Sequence, residues 1–303
     1  MEFIGILTNQ IIIMFILIFA GAILFRCGKL TAAGSKDLGN VLLYFIIPCV
    51  IINSFMTDFT WEKLTGLGIS FLLAFLALLL SLVVSALIFK KHPIENFSAT
   101  FSNAGFMGIP IIQATLGDDA VFYAAAFVAL LNLFQWTYGV YVITGDRSLI
   151  SLKKIATNPI VISLLIGLAL FFLPIEIPSI VESAVSMVSS ANSPVAMLMI
   201  GTYLAQIPLK DMFTDKIVWL CSIVRLVLVP VLTMLLLWFV PEQYATIQLV
   251  VMIEAVAPVG ANVAIAAQLY NRDYTQAVKD VCLSTILSLI SMPAMIALAQ
   301  LIW

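Results

Sequence analysis

The sequence predicts an all-α membrane protein of ten transmembrane helices, and three observations carry that reading. Hydrophobic residues make up 63% of the 303-residue chain and charged ones only 10%, against roughly 25% charged in a soluble domain. Apolar runs recur along the whole length, each near the ~20 residues needed to cross a ~30 Å hydrocarbon core. The lysines and arginines crowd into alternate loops, a pattern that an odd number of crossings would break. The net charge of -2 is small, and no basic stripe suits a nucleic acid.

The apolar stretches lie at about 8–26, 37–56, 64–89, 94–116, 119–144, 157–173, 179–206, 216–240, 244–269 and 276–302. Segment 1–27 has no basic start and no small-residue cleavage site, so it reads as a first span rather than a cleaved leader. Polar and breaker residues mark the loops, as at Gly28-Lys29, Gly117-Asp118-Asp119 and Pro241-Glu242. Take the N-terminus as outside. The inside loops then hold Arg26, Lys29, Lys36, Lys90, Lys91, Arg147, Lys153, Lys154, Lys210, Lys216, Arg272 and Lys279, twelve cations against the single outside Lys63. The remaining cation, Arg225, falls within a helix. This asymmetry predicts that both termini lie outside.

A shift of 146 residues places Gly21, Leu24, Phe25 and Pro48 on Gly167, Leu170, Phe171 and Pro194, and a shift of 148 places Pro110 on Pro258. The chain therefore divides into a first five-helix repeat, 1–150, and a second, 151–303. Five is odd, so the second repeat enters the membrane from the opposite side. A 5+5 inverted repeat is an architecture of secondary transporters, with the substrate site near the bilayer midplane.

Two repeat-related helices break the apolar rule. Helix 4 carries Ser102-Asn103-Ala104-Gly105-Phe106-Met107-Gly108-Ile109-Pro110, and helix 9 carries Glu254-Ala255-Val256-Ala257-Pro258-Val259-Gly260-Ala261-Asn262. Proline lacks a donor and clashes with the preceding turn, and glycine loosens the backbone. Both helices are expected to unwind near Pro110 and Pro258, ~20 Å into the bilayer at ~1.5 Å per residue. Broken backbone persists at that depth only inside protein or around a cavity. The inner N-terminal ends of crossed broken helices 4 and 9 would offer free N–H groups to an anion.

Two charges read as deep, Glu254 and Arg225. A charge at such depth costs ~2.5–3.5 kcal/mol on insertion scales and is a functional candidate. Three readings stay open: Glu254 binds Na⁺ with the Ser102 and Asn103 oxygens, Glu254 carries a proton, or Arg225 and Glu254 form a static ion pair. Further polar candidates for the cavity are Asn53 and Ser54 after Pro48, Asn132, Gln135 and Thr137 in helix 5, and Asn192 and Ser193 before Pro194. Cys27, Cys49, Cys221 and Cys282 are scattered in or near apolar runs and read as small packers. His92 alone cannot anchor a metal. No Ser–His pair or carboxylate cluster suggests an enzyme.

The motifs Asn103-Ala104-Gly105-Phe106-Met107-Gly108-Ile109-Pro110 and Ala257-Pro258-Val259-Gly260-Ala261-Asn262 resemble those of the auxin efflux carrier family, which includes plant carriers and bacterial organic-anion permeases. The resemblance spans nearly the whole chain. It implies an NhaA-like fold in which scaffold and transport domains interleave across both repeats, with the crossover in the transport domain. It also implies elevator-type movement of organic anions such as malate, malonate or lactate, a homodimer formed through the scaffold, and residence in a bacterial inner membrane. A more distant resemblance is to the bile acid sodium symporters. That family's helix 9 Glu and helix 4 Ser-Asn pair hold Na⁺, and Glu254, Ser102 and Asn103 stand in comparable places. The plant carriers imply no coupling ion, so the two resemblances differ on Na⁺.

The expected function is alternating-access transport of a small carboxylate, the anion held between the crossover residues Asn103, Gly108, Pro110, Pro258, Gly260 and Asn262 and polar groups of helices 2, 5 and 7. No resident cofactor is expected. The alternative is an ion channel or a non-transporting sensor on the same scaffold.

Overall fold

The computed structural model describes residues 2–151, 153, 156–173 and 176–303; Lys154, one of the cations assigned above, lies outside them. The described chain is helical throughout. Its elements are α1 (Glu2–Arg26), α2 (Ala32–Phe55), α3 (Trp61–Ile88), α4 (Pro93–Thr100), α5 (Ala104–Leu116), α6 (Asp118–Thr144), α7 (Pro159–Phe172), α8 (Ser179–Gln206), α9 (Leu209–Thr214), α10 (Lys216–Leu237), α11 (Ala245–Val256), α12 (Asn262–Leu269) and α13 (Tyr274–Ile302). Seven of them, α1, α2, α3, α6, α8, α10 and α13, are long and apolar enough to cross a membrane. The other expected spans fall on α7, of 14 residues, and on two interrupted pairs, α4–α5 and α11–α12.

Local chemistry sets the starts of these helices. The side chains of Thr31, Thr60, Asn158, Asp215 and Asp273 accept backbone N–H groups at the heads of α2, α3, α7, α10 and α13. Each satisfies a donor that the first helical turn leaves without a partner. Pro159 follows Asn158 at the first position of α7, where its missing N–H costs nothing.

Three interior prolines share one device, which Pro194 of α8 and Pro293 of α13 lack. π-helical turns occupy Leu42–Ile46, Ala104–Gly108 and Val224–Leu228, each ending two residues before a proline: Pro48, Pro110 and Pro230. In an α-helix the ring at position i strikes the carbonyl at i−4. Here that carbonyl belongs to Tyr44, Phe106 or Leu226, in every case the middle residue of the π turn. The widened turn moves it aside and the helix continues. A fourth π turn, Gln135–Gly139 in α6, precedes no proline.

The helices form two groups. In one, α1 packs along α8 and α7 along α2. Contact in the first pair is backbone to backbone: a Cβ on Gly201 would stand 2.0 Å from the Ile18 carbonyl oxygen, and one on Gly21 2.2 Å from that of Leu198. In the second pair Gly167 receives the Phe55 side chain, with its Cβ 3.0 Å from a Cβ placed on the glycine. In the other group α3 packs on α4, α6 and α11, and α13 packs on α4, α10 and α12. An aromatic cluster of Phe55, Phe122 and Phe171 ties the groups together, with ring centroids 4.8 Å apart for Phe55–Phe122 and 5.1 Å for Phe122–Phe171.

Loops that the sequence assigns to the inside gather on one face. Arg272 donates to the Thr144 carbonyl at 2.9 Å, and Lys279 lies 3.3 Å from Asp215. Lys63, on the opposite face, lies 3.8 Å from Asp119. We call these the cation-rich and cation-poor faces.

Candidate functional site

The chain between α4 and α5 leaves the helix at Phe101–Asn103, and that between α11 and α12 is opened at Ala257–Ala261. These two gaps meet. Ser102 and Val259 form an isolated antiparallel bridge, in which Asn103 N donates to Pro258 O at 2.8 Å and Gly260 N donates to Phe101 O at 2.9 Å. Val259 N donates to the Ser284 hydroxyl of α13 at 3.1 Å. These bonds satisfy, inside the protein, part of the backbone that the two breaks release, as a hydrocarbon surround requires. Gly260 is dictated by the crossing: a Cβ there would lie 2.9 Å from Ser102 O.

The location of the first break corrects the sequence reading. Pro258 lies in its gap, but Pro110 lies eight residues beyond Ser102, inside α5, because the π turn at Ala104–Gly108 absorbs it. The prolines paired by the 148-residue shift therefore hold different positions, and the bridge pairs Ser102 with Val259 instead.

Arg225 and Glu254 do not pair. Among the described residues the ion pairs are Lys63–Asp119, His92–Glu95 and Lys279–Asp215. The buried Arg225 guanidinium donates to Ala99 O at 3.2 Å, Thr100 O at 3.3 Å and Ser81 Oγ at 3.3 Å, and through its other terminal nitrogen to Ala255 O. Ala99 and Thr100 end α4, and Ala255 lies in the last turn of α11. One cation thereby serves the C-terminal ends of both half-helices, where backbone carbonyls lack partners and carry negative partial charge. Glu254 is fully buried, neither of its oxygens has a hydrogen-bond partner, and it lies against the first turns of α5: a Cβ on Gly108 would be 3.3 Å from its Cγ.

The predicted site residues divide between two compartments. Toward the cation-rich face, a void of about 20 Å³ at the crossover is lined by Ser102, Asn103, Gly105, Asn132, Gly260 and Asn262, among others. It shares Leu43, Asn132 and Asn262 with a cavity of about 70 Å³ that adds Gln135, Asn158 and Tyr270. Asn262 Nδ2 donates to Gln135 Oε1 at 3.0 Å across this space. Toward the cation-poor face, Asn53, Ser54, Pro110, Asn192 and Ser193 line a polar cavity of about 280 Å³, together with Asp118, Asp119 and Glu182. The two compartments meet at α5, where Asn192 Nδ2 donates to Gly105 O at 2.9 Å. Several polar atoms around the crossover are buried without a partner: Ser102 Oγ, Asn103 Nδ2, Gln135 Nε2, Asn192 Oδ1 and Asn262 Oδ1. Thr137 turns away and donates to Leu133 O at 2.8 Å within its own helix.

The profile of the family described as membrane transport protein matches residues 6–150 and 146–296, which include both gaps, Arg225 and Glu254. The chain belongs to the auxin efflux carrier family. A relative in Rhizobium meliloti (strain 1021), described as "Putative malonate transporter", is 22% identical over 309 residues, covering 97% of this chain and 96% of that protein. As a member of the auxin efflux carrier family the protein is a multi-pass membrane protein of a transport family.

Sequence reasoning missed two buried carboxylates. Asp280 of α13 is fully buried and Glu95 of α4 is 4% exposed. Each sits near the head of its helix, inside the expected spans 94–116 and 276–302, and neither is among the two charges read as deep. The available signal was the spacing of Asp280 and Ser284, one turn apart on one face of α13.

Proposed function

We propose that the protein is a secondary carrier that moves a small carboxylate across a bacterial inner membrane by alternating access of the elevator type. The observation that carries this is the crossover: two half-helices, α5 and α12, begin beside one void, and a larger cavity approaches it from either face. The first turns of α5 and α12 direct N–H groups and positive partial charge there, and Asn103 Nδ2 and Gln135 Nε2 are unpartnered donors beside them. This suits a carboxylate, which only accepts hydrogen bonds. Malonate enters as the first substrate to test through the relative's description. The void of about 20 Å³ has room for a water molecule and not for a dicarboxylate, so binding requires the compartments to open.

Helix packing supports a 5+5 inverted repeat of ten spans. The 146-residue shift that carries Gly21 to Gly167 also carries Phe55 to Gly201, and Gly21 packs at Gly201 just as Gly167 packs at Phe55. The α1, α2, α7, α8 group is then the scaffold and the group holding the crossover is the moving body, with both termini outside and a homodimer formed through the scaffold. Glu254 supplies a cation site, and Na⁺ suits its hard carboxylate oxygens together with Ser102 and Asn103.

The test is labelled malonate uptake into proteoliposomes. Wild type is expected to saturate and to show counterflow; Asn103→Ala and Asn262→Ala are expected to abolish both while leaving membrane insertion intact. Ohmic, non-saturating flux would replace the carrier with a channel, and wild-type rates in both variants would remove the crossover from the mechanism. A Na⁺ gradient is expected to stimulate wild type and not Glu254→Gln; equal stimulation would exclude the Na⁺ site.

A further inference from the structure

Asp280 has an environment that the carrier reading does not use. Both its oxygens are buried without a hydrogen-bond partner, and so is the hydroxyl of Ser98. Ser98 and Cys221 flank the carboxyl without closing a hydrogen bond of good geometry, and the charges of Glu95 and Asp215 bear on it. Among the described residues no cation is free to answer it. Lys279, its chain neighbour, is held 3.3 Å from Asp215, and Arg225 is committed to the ends of α4 and α11. Of the other charged groups nearby, Lys210 and Asp211 of α9 are exposed, α12 carries none, and Glu254 of α11 lies against Gly108. Among the described residues no three His, Cys, Asp or Glu side chains converge as a metal site.

A bare carboxylate so placed is expensive, and a protein avoids the cost by binding a proton. A second acid close by strengthens that tendency, because two carboxylates sharing a site cannot both ionise cheaply. Glu95 is the second acid. Its Oε1 accepts from Gln276 at 3.0 Å, and its Oε2 lies 3.9 Å from Nδ1 of His92, which is half-exposed on the cation-rich face. Gln276 and Asp280 are one turn apart on α13, so His92, Glu95 and Asp280 form a graded path from water to the interior.

The path ends beneath the crossover. One turn after Asp280, the Ser284 hydroxyl donates to Asp280 O at 2.7 Å and accepts from Val259 N at 3.1 Å. Ser98 lies one turn before Ser102 on the other strand of the bridge. We propose that Asp280 is a proton-binding site, loaded from the cation-rich face past His92 and Glu95, whose occupancy is coupled to the crossover through Ser284 and Ser98. The proton comes from water and converts the Asp280 carboxylate to the neutral acid; no other group changes. The coupling rests on the carrier reading, and the protonation does not.

Two measurements separate them. In pH-difference infrared spectra of the purified full chain, wild type is expected to show a carboxylic-acid C=O band that Asp280→Asn removes and Glu254→Gln retains. Ser98→Ala, which keeps the acid and changes its neighbour, is expected to shift that band in frequency. The same band in Asp280→Asn, or an unshifted one in Ser98→Ala should Asp280→Asn fail to fold, overturns the proton site. In proteoliposomes with labelled malonate, an imposed pH gradient is expected to accelerate wild-type uptake. Asp280→Asn is expected to lose about tenfold more of this gradient response than of counterflow, a ratio within the usual span of coupling energies. An equal gradient response in the variant overturns the coupling. If wild type moves no malonate, the carrier reading fails for that substrate, and the infrared band still decides the proton site.

Discussion

The two gaps at the crossover do the same work with different sequences. The α11–α12 gap contains the breakers expected of it: Pro258 for the missing donor and Gly260 for the close approach of Ser102 O. The α4–α5 gap, Phe101-Ser102-Asn103, holds neither proline nor glycine. Nothing local forces those three residues out of a helix. They are drawn out by their partners: Gly260 N and Pro258 O take the backbone groups of Phe101 and Asn103, and Arg225 and Ser81 take the carbonyls of Ala99 and Thr100. One gap is made by its own sequence and the other by tertiary contact.

The comparison is tested most severely at Arg225, the group the two gaps share. Arg225→Met would leave the Ala255 carbonyl at the end of α11 buried without its donor, and the Ala99 and Thr100 carbonyls at the end of α4 with Ser81 alone. Each buried carbonyl that loses its partner costs about 1–3 kcal/mol, and the packing of the guanidinium between the two ends is lost as well. The thermal unfolding midpoint in detergent is expected to fall steeply, and an unchanged midpoint would mean that the guanidinium does not hold the gaps. Gly260→Ala comes next. Its Cβ would press on Ser102 O, part of the backbone rather than a flexible side-chain end, and overpacking of this kind costs about 1–3 kcal/mol. Gly105→Ala is the control, since its Cβ would meet the terminal methyl of Ile47 at 3.2 Å. Malonate uptake is expected to fall much further in Gly260→Ala than in Gly105→Ala; equal losses would mean that the bridge itself is not required.

This asymmetry explains how far the sequence could be read. The apolar stretches located the helices, because a hydrocarbon solvent leaves few other choices, and the break at Pro258 was legible because proline and glycine act through their own backbone. The break at Ser102 was not, because its cause lies on α3, on α10 and in the α11–α12 gap. Pro110 drew the expected break to itself although the π turn of its own helix accommodates it. Arg225 and Glu254 stood out as deep charges, but which groups each would meet depended on packing across four helices. Asp280 and Glu95 were hidden for the opposite reason, lying near helix ends where charge is ordinary on a solvated surface.

The smallest effect expected is also the sharpest test of the comparison. Pro258→Ala restores an N–H in the middle of a gap and lifts the bar to helical backbone there, so α11 and α12 can begin to join and the bridge to Ser102 weakens. Pro110→Ala restores an N–H within α5, two residues after its π turn, where the helix already continues. The only backbone change open to it is relaxation of that turn toward α geometry, and relief of a proline in a helix is stabilising where the new N–H finds an acceptor. Saturating malonate uptake is therefore expected to drop sharply in Pro258→Ala and to stay within about threefold of wild type in Pro110→Ala, a difference of under ~1 kcal/mol. Equal loss in the two variants would show that the π turn, and not only the gap, belongs to the moving part of the crossover.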